Sequence, residues 1–118
     1  MKYLLMIYDE ETESSADSRA ATRAEYDQFN ATYGARGVLS GGAELEPTDT
    51  ATSVRVRNGE TMLTDGPFAE TREQLAGYYV VECDTLDEAL EIAASIPGAR
   101  TGTIEVRPQV EGIGPSET

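Results

Sequence analysis

Two short segments that are apolar on both faces constrain the fold of this chain more than any other feature. One runs from Tyr3 to Tyr8 and the other from Gly77 to Val81. Successive side chains of a strand point to opposite faces, so a strand without polar positions must be covered on both sides. We therefore predict that both segments are central strands of one sheet.

The first of two helices is predicted between residues 17 and 36. Tyr26, Phe29 and Tyr33 recur there at i, i+3 and i+7, which places them on one buried stripe. Gly34 and Gly37 should end this helix. The second helix has the stronger signal, because Thr85 to Glu88 has the spacing of a capping box and Pro97-Gly98 marks the end. Its apolar positions at helical period are Leu86, Ala89, Leu90, Ala93 and Ile96.

A β-hairpin is predicted around Asn58-Gly59, a dipeptide that favours a type I′ turn. Its strands cover residues 52–57 and 60–65. A two-residue loop sets Arg57 opposite Glu60 and Val54 opposite Leu63. Since side chains alternate, one face carries Val54, Val56, Leu63 and Asp65, and the other carries Arg55, Arg57, Glu60 and Met62.

The order of the predicted elements defines the fold class. We predict one α+β domain over residues 1–110, with a ferredoxin-like βαββαβ arrangement and an added β-hairpin, followed by a flexible tail at 111–118. In that arrangement the two doubly apolar strands lie in the middle of the sheet, as their composition requires. Two helices cover only one face of such a sheet. We therefore expect a homodimer, a dimeric α+β barrel formed through the helix-free sheet face.

Net charge excludes several partners. The 118 residues include 22 acidic and 9 basic side chains, for a net charge of −13. This charge repels phosphate backbones and anionic lipid headgroups, so we expect no direct binding to nucleic acid and no membrane association. The apolar run at the N-terminus ends after six or seven residues in acidic ones, which is typical of a strand and not of a signal sequence.

The absence of histidine excludes several mechanisms. Histidine is the commonest general base near neutral pH, and only carboxylates remain as ligands for a metal, so we expect no metal site and no cofactor. Cys83 is the single cysteine, so no intrachain disulfide can form, which favours a reducing, cytoplasmic location. Its acidic neighbours should raise the pKa of the thiol and lower its reactivity.

Asp65 is the strongest candidate for a catalytic residue. It precedes Gly66-Pro67, a forced chain reversal, and an aromatic ring follows at Phe68. Its carboxylate could accept a backbone N–H in an Asx-turn and only organise this reversal. Desolvation beside an apolar sheet face would instead make it a usable general acid or base. The two roles are compatible.

Four further residues are expected near a ligand pocket. Tyr8 is one of several tyrosines that could line a polar-rimmed cavity, and Arg72 is the nearest cation in sequence to Asp65. Arg72 also lies in a segment that is typical of a solvated turn. Ser40 precedes Gly41-Gly42, which we interpret as a bend because a P-loop lysine is missing. Phe68 completes the set of predicted ligand-binding residues: Tyr8, Ser40, Phe68 and Arg72.

Motifs along most of the chain resemble a known family. In order they are Met1 to Tyr8, Leu63 to Thr71, Glu73 to Tyr79, Asp84 to Ala93, and Ile104 to Pro108. Together these segments resemble the YCII-related family, in its DGPF-domain branch. The resemblance implies a ferredoxin-like dimeric α+β barrel and a small bacterial cytoplasmic protein, often encoded near extracytoplasmic-function sigma factors.

The resemblance implies no settled reaction. Relatives carry a His-Asp pair thought to be an active site, and the resemblance places the Asp of that pair at Asp65. This chain has no histidine, which leaves Asp65 without the partner. Three functions remain open. The protein is an enzyme acting on a small organic molecule with Asp65 as acid or base, or a cofactor-free ligand-binding module, or an interaction partner in sigma-factor-linked transcriptional regulation.

Overall fold

A computed structural model describes residues 1–112, which form two α-helices and six strands. Two 3₁₀ turns, Thr48–Thr50 and Pro97–Arg100, join some of these elements. The predicted tail at 111–118 lies outside the described residues apart from its first two positions. In chain order the elements are β1 (Lys2–Asp9), α1 (Ala16–Ala35), β2 (Leu39–Glu44), β3 (Thr52–Arg57), β4 (Glu60–Asp65), β5 (Gln74–Glu82), α2 (Leu86–Ser95) and β6 (Thr103–Pro108).

The main sheet has the strand order β2-β5-β1-β6, and every neighbouring pair is antiparallel. The two doubly apolar segments are β1 and β5, and both are central, as predicted. Tyr3 pairs with Val81 and Met6 pairs with Tyr78 across this centre. The order confirms the ferredoxin-like α+β arrangement expected from the sequence.

One face of the sheet, together with the helices, forms the hydrophobic core. The inward residues of β1 are Tyr3, Leu5 and Ile7, each at most 7% exposed. The alternate residues of the same strand, among them Leu4 and Met6, face the other side and are only half-buried. No helix of the described residues covers that side, so the helix-free face remains partly open to solvent.

Helix α1 rests on the sheet through a narrow stripe. Ser15 caps its N-terminus by accepting a hydrogen bond from the Ser18 amide at 3.1 Å. Phe29 and Tyr33 are buried and Tyr26 packs against them, which confirms the predicted stripe. The Tyr33 hydroxyl donates to the Ser95 hydroxyl oxygen at 2.7 Å and so connects the two helices.

Helix α2 begins at the predicted cap, where the Thr85 hydroxyl oxygen accepts from the Glu88 amide at 3.2 Å. The predicted helix is confirmed, but two of its five periodic apolar residues are not buried. Leu86 is 48% exposed and Leu90 is 45% exposed, while the buried residues are Ala89, Ile92, Ala93 and Ile96. These four follow i, i+3, i+4 and i+7, a helical stripe rotated away from the two leucines.

The hairpin of β3 and β4 has the predicted register. Arg57 pairs with Glu60 and Val54 pairs with Leu63. Asn58 and Gly59 have φ values of 51° and 77°, as a type I′ turn requires. These strands form a two-stranded sheet of their own, separate from the main sheet. The radius of gyration is 16.2 Å, whereas about 13.5 Å is expected for a compact chain of this length, so the hairpin projects from the body.

Candidate functional site

An open groove of about 750 Å³ lies where β1 and β6 meet the segment between the hairpin and β5. Three separate parts of the chain build it: the end of β1, the turn before β5, and the first half of β6. The lining residues are Tyr8, Glu10, Thr71, Arg72, Glu73, Thr103 and Glu105.

Strand pairing holds Tyr8 in the wall of the groove. Tyr8 pairs with Thr103 on one side and with Leu75 on the other, and the pairing with β5 shifts register between Ile7 and Tyr8. Gly102 lies so close that a Cβ there would be 2.0 Å from the Tyr8 carbonyl oxygen. Glycine therefore permits the backbone approach that joins the two strands at this edge.

Hydrogen bonds hold the turn that forms the opposite wall. The Thr71 hydroxyl donates to the Glu73 carbonyl oxygen at 2.5 Å, and the Gln74 side-chain amide donates to the Thr71 carbonyl oxygen at 2.8 Å. Across the groove, the Thr103 hydroxyl donates to the Glu73 carboxylate at 2.9 Å. This last bond ties β6 to the turn and positions one carboxylate inside the site.

Negative charge predominates in the groove. Its lining contains the carboxylates of Glu10, Glu73 and Glu105 and the guanidinium of Arg72, which leaves an excess of two negative charges. Arg72 forms an ion pair with Glu10, but its side chain is 88% exposed. Exposed pairs of this kind contribute about 0–1 kcal/mol. The arginine can therefore exchange this carboxylate for a ligand at little cost.

The Tyr8 hydroxyl is available to a ligand. Its hydrogen-bond acceptor in the structure is the Met6 sulfur at 3.9 Å, a weak acceptor at a long distance. A ligand oxygen or nitrogen would be a better acceptor. The groove therefore presents three hydroxyl groups, those of Tyr8, Thr71 and Thr103, beside its charged side chains.

The structure brings together two of the five residues predicted for a site. Tyr8 and Arg72 both line the groove, whereas Asp65, Ser40 and Phe68 are not part of its lining. Ser40 lies on β2, next to the pairing of Leu39 with Val81, and Val81 pairs with Tyr3. Since Tyr3 and Tyr8 are five positions apart on β1, Ser40 is at the far end of the sheet, about 16 Å away along the strand.

Asp65 and Phe68 lie on or near the projecting hairpin. Asp65 is the last residue of β4, pairs with Thr52 and is exposed. Within residues 1–112 its carboxylate makes neither a hydrogen bond nor an ion pair, so the bond expected for an Asx-turn is missing. The Gly66 amide instead donates to the Ala51 carbonyl oxygen at 2.7 Å, and Gly66 has a φ of 97°. Phe68 is 82% exposed.

The sequence interpretation missed five residues of the groove: Glu10, Thr71, Glu73, Thr103 and Glu105. For Thr103 and Glu105 the signal is visible, because their polar positions alternate with Ile104 and Val106 in a half-exposed strand. The Glu73 segment resembles any solvated turn, so its sequence does not distinguish a ligand site from a loop.

Burial raises the pKa of three groups away from the groove. Burial is the first cause for Cys83, followed by the charge of Glu88, and the buried free thiol agrees with the low reactivity predicted. Burial also raises the pKa of Tyr26 and of Tyr79. The Tyr79 hydroxyl donates to the Asn30 side-chain oxygen at 2.6 Å, which partly offsets the increase in its pKa.

Neither a metal site nor a membrane-spanning helix is found in the part of the chain that the structure describes. No group of three or more Asp, Glu or Cys side chains there is arranged to hold a metal ion. Neither helix among residues 1–112 is both long and apolar enough to cross a membrane.

The fold and the groove define a small α+β protein with a ferredoxin-like sheet and an open, net acidic site. A sequence model of the YCII-related domain matches residues 1–111. An uncharacterised protein of Rhizobium meliloti (strain 1021) is 41% identical over 113 residues, which cover 92% of this chain and 91% of that protein. The chain belongs to the YCII-related family.

Proposed function

We propose that this protein binds a small organic molecule in the groove beside Tyr8. The observation that carries the proposal is Tyr8, which lines a groove of about 750 Å³ and whose hydroxyl has only a sulfur atom as its acceptor among residues 1–112. Two further hydroxyls and four charged side chains surround the same space. Sites for small molecules combine an enclosed surface with a few polar groups that fix orientation, and this groove supplies such groups.

The charge of the groove selects the class of ligand. Three carboxylates and one guanidinium disfavour a dianion, and the net charge of −13 adds repulsion at long range. A neutral molecule rich in hydroxyls, or a small amine, would satisfy both the carboxylates and the hydroxyls. No metal or cofactor is part of this proposal.

The groove is proposed to work within a homodimer in the cytoplasm. The helix-free face of the sheet carries Leu4, Met6, Tyr78 and Val80, all half-buried. Beside them Glu105 and Arg107 neutralise each other in an ion pair. An apolar surface of this kind is stabilised when a second copy covers it. The free, buried Cys83 fits a reducing compartment. Sedimentation velocity at micromolar concentration tests the dimer, and a monomer there would refute it.

Ligand-observed NMR with small amines, polyols and dicarboxylates tests the binding proposal. We expect members of the first two groups to bind and Tyr8→Phe to weaken their binding about tenfold, the effect of one hydrogen bond. Tyr3→Phe is the matched control, because its hydroxyl also donates to a methionine sulfur, at 3.8 Å, but is buried outside the groove. Binding only of dicarboxylates, or equal binding by wild type and Tyr8→Phe, would refute the proposal.

Catalysis by Asp65 is a second candidate function. It is supported by a carboxylate that has no partner within residues 1–112 and by the fixed reversal that follows it. Such a carboxylate is accessible to a substrate that binds beside it. Because Asp65 is absent from the lining of the groove in one chain, this role requires a substrate or a second copy to bring the two together.

A further inference from the structure

The projecting hairpin, residues 52–65, carries an apolar face without a partner in its own chain. Val54, Val56 and Leu63 are 61%, 58% and 68% exposed, and all three lie on the same face. The opposite face is mostly polar, with Arg55, Arg57, Glu60 and Met62. We call residues 52–65 the hairpin arm.

An exposed hairpin of this composition needs a covering surface. A two-stranded sheet is marginally stable in water unless its apolar face packs against another element. The arm forms its own sheet, and the radius of gyration exceeds the value for a compact chain. The missing cover must therefore come from another molecule.

The distribution of charge identifies a second copy as that molecule. Arg55 and Arg57 balance Glu60 and Asp65, so the arm has no net charge, and the thirteen excess negative charges lie elsewhere in the chain. Two copies repel each other least where their surfaces carry no net charge. The arm is such a surface, and on the helix-free face Glu105 and Arg107 neutralise each other in an ion pair beside Met6 and Leu4, so a pair of copies can bring these two surfaces together.

The position of the arm places it at the edge of the proposed dimer interface. The arm is inserted between β2 and β5, and the Leu45 amide donates to the Ala76 carbonyl oxygen at 2.9 Å at its base. The arm therefore leaves from an end of the main sheet. Each strand of six residues reaches about 20 Å beyond that base. An arm of this length is long enough to reach a second copy whose helix-free face meets the first.

The area that the arms can cover is sufficient for a specific contact. Each of the three exposed aliphatic side chains presents roughly 100 Å². Two arms and the surfaces beneath them then bury roughly 1,200 Å² in total, the lower limit for a specific protein interface. The area from the sheet faces adds to this value.

We propose that the hairpin arm of each copy packs its Val54 and Leu63 face on the second copy, at the rim of the interface between the two sheets. The inference rests on the homodimer of the proposed function and extends it. Asp65 shares this face of the arm, so the same contact encloses Asp65 between two copies. The candidate acid or base would then act in a site that one chain does not complete.

A pair of matched double variants tests the arm. Val54→Ser with Leu63→Ser alters one cross-strand pair on the apolar face, and Arg55→Ser with Met62→Ser alters the next pair on the opposite face. Sedimentation across a dilution series measures the dissociation constant of the dimer. We expect the first variant to raise it about 100-fold or more and the second to change it less than about threefold.

The outcomes separate this inference from the proposed dimer. If wild type is a dimer and the apolar-face variant dissociates no more readily, the arm does not contact the second copy and the inference is refuted, while the sheet-face dimer stands. Stronger dissociation by the opposite-face variant would also refute it. A wild-type monomer would refute both proposals.

A labelling experiment covers the case in which the serine variant fails to fold. In a Cys83→Ser background, Leu63→Cys and Thr64→Cys place one thiol on each face of the arm. We expect dimer formation to slow maleimide labelling at position 63 at least tenfold relative to dilute protein, and to leave position 64 unchanged. Equal labelling of position 63 in concentrated and dilute samples would overturn the inference.

Discussion

The close contact between Gly102 and β1 predicts a large loss of stability on adding one methyl group. In Gly102→Ala the new Cβ would lie 2.0 Å from the Tyr8 carbonyl oxygen and 3.0 Å from its carbon. Carbon and oxygen atoms in close contact are about 3.3 Å apart or more. The two backbones must therefore separate by roughly 1.3 Å. That movement also disturbs the bond from the Gly102 amide to the Gly98 carbonyl oxygen, now 2.8 Å.

The expected loss of stability is large because the atoms on both sides of the contact, at Gly102 and at Tyr8, belong to the backbone. Overpacking typically costs about 1–3 kcal/mol, and here a backbone carbonyl cannot rotate away as a side chain could. We expect the free energy of unfolding to fall by about 3 kcal/mol. For a chain of this length that corresponds to a decrease in Tm of roughly 10 °C. Circular dichroism at one fixed protein concentration measures it, because Tm depends on concentration if the protein dimerises.

Gly34→Ala is the matched control. A Cβ at Gly34 meets no heavy atom within 4 Å, and Gly34 lies inside helix α1. Alanine should therefore stabilise this helix by up to about 1 kcal/mol. A Gly102→Ala protein with the Tm of wild type would show that the two strands do not approach this closely at Tyr8.

Three further predictions concern the site, pH and charge. Asp65→Asn should change the free energy of unfolding by less than about 0.5 kcal/mol, because the Asp65 carboxylate has no partner within residues 1–112. If this carboxyl is a general acid or base, turnover of any substrate found should fall about 100-fold in the same variant. Gly66 has a φ of 97°, so Gly66→Ala should lower the free energy of unfolding by about 1 kcal/mol or more. If Asp65→Asn destabilised the protein as much as Gly66→Ala, the role of Asp65 would be structural and its catalytic assignment would be wrong. Burial raises the pKa of Cys83 above 9.0 and the pKa values of Tyr26 and Tyr79 above 10.0, so the folded chain holds these protons longer than the unfolded one. Stability should be level below about pH 9 and decrease as pH rises through the folded values, and an unchanged urea midpoint from about pH 8 to 11 would contradict this. With a net charge of −13, the protein should not retard DNA or RNA in a gel at physiological salt, and a salt-dependent shift would show a basic surface that the sequence lacks.

Local patterns determined much of the fold. The two doubly apolar strands, the N-terminal cap of α2 and the Asn58-Gly59 turn each depend on residues that are close in sequence, and the structure confirms them. Even the cross-strand register of the hairpin follows from a loop of two residues. The stripe of α2 was harder to predict, because several apolar positions fit a helical period and only packing on the sheet selects Ile92 over Leu90.

Tertiary structure alone decided the composition of the candidate site and the isolation of Asp65. The groove joins residues near positions 8, 72 and 104, and hydrogen bonds such as that from Thr103 to Glu73 connect segments 30 residues apart. Asp65 is close to Arg72 in sequence, yet the projecting hairpin keeps it out of the groove lining. The physical reason is that periodicity and turn chemistry act over a few residues, whereas a binding surface depends on how distant strands align and on which surfaces remain uncovered after they do.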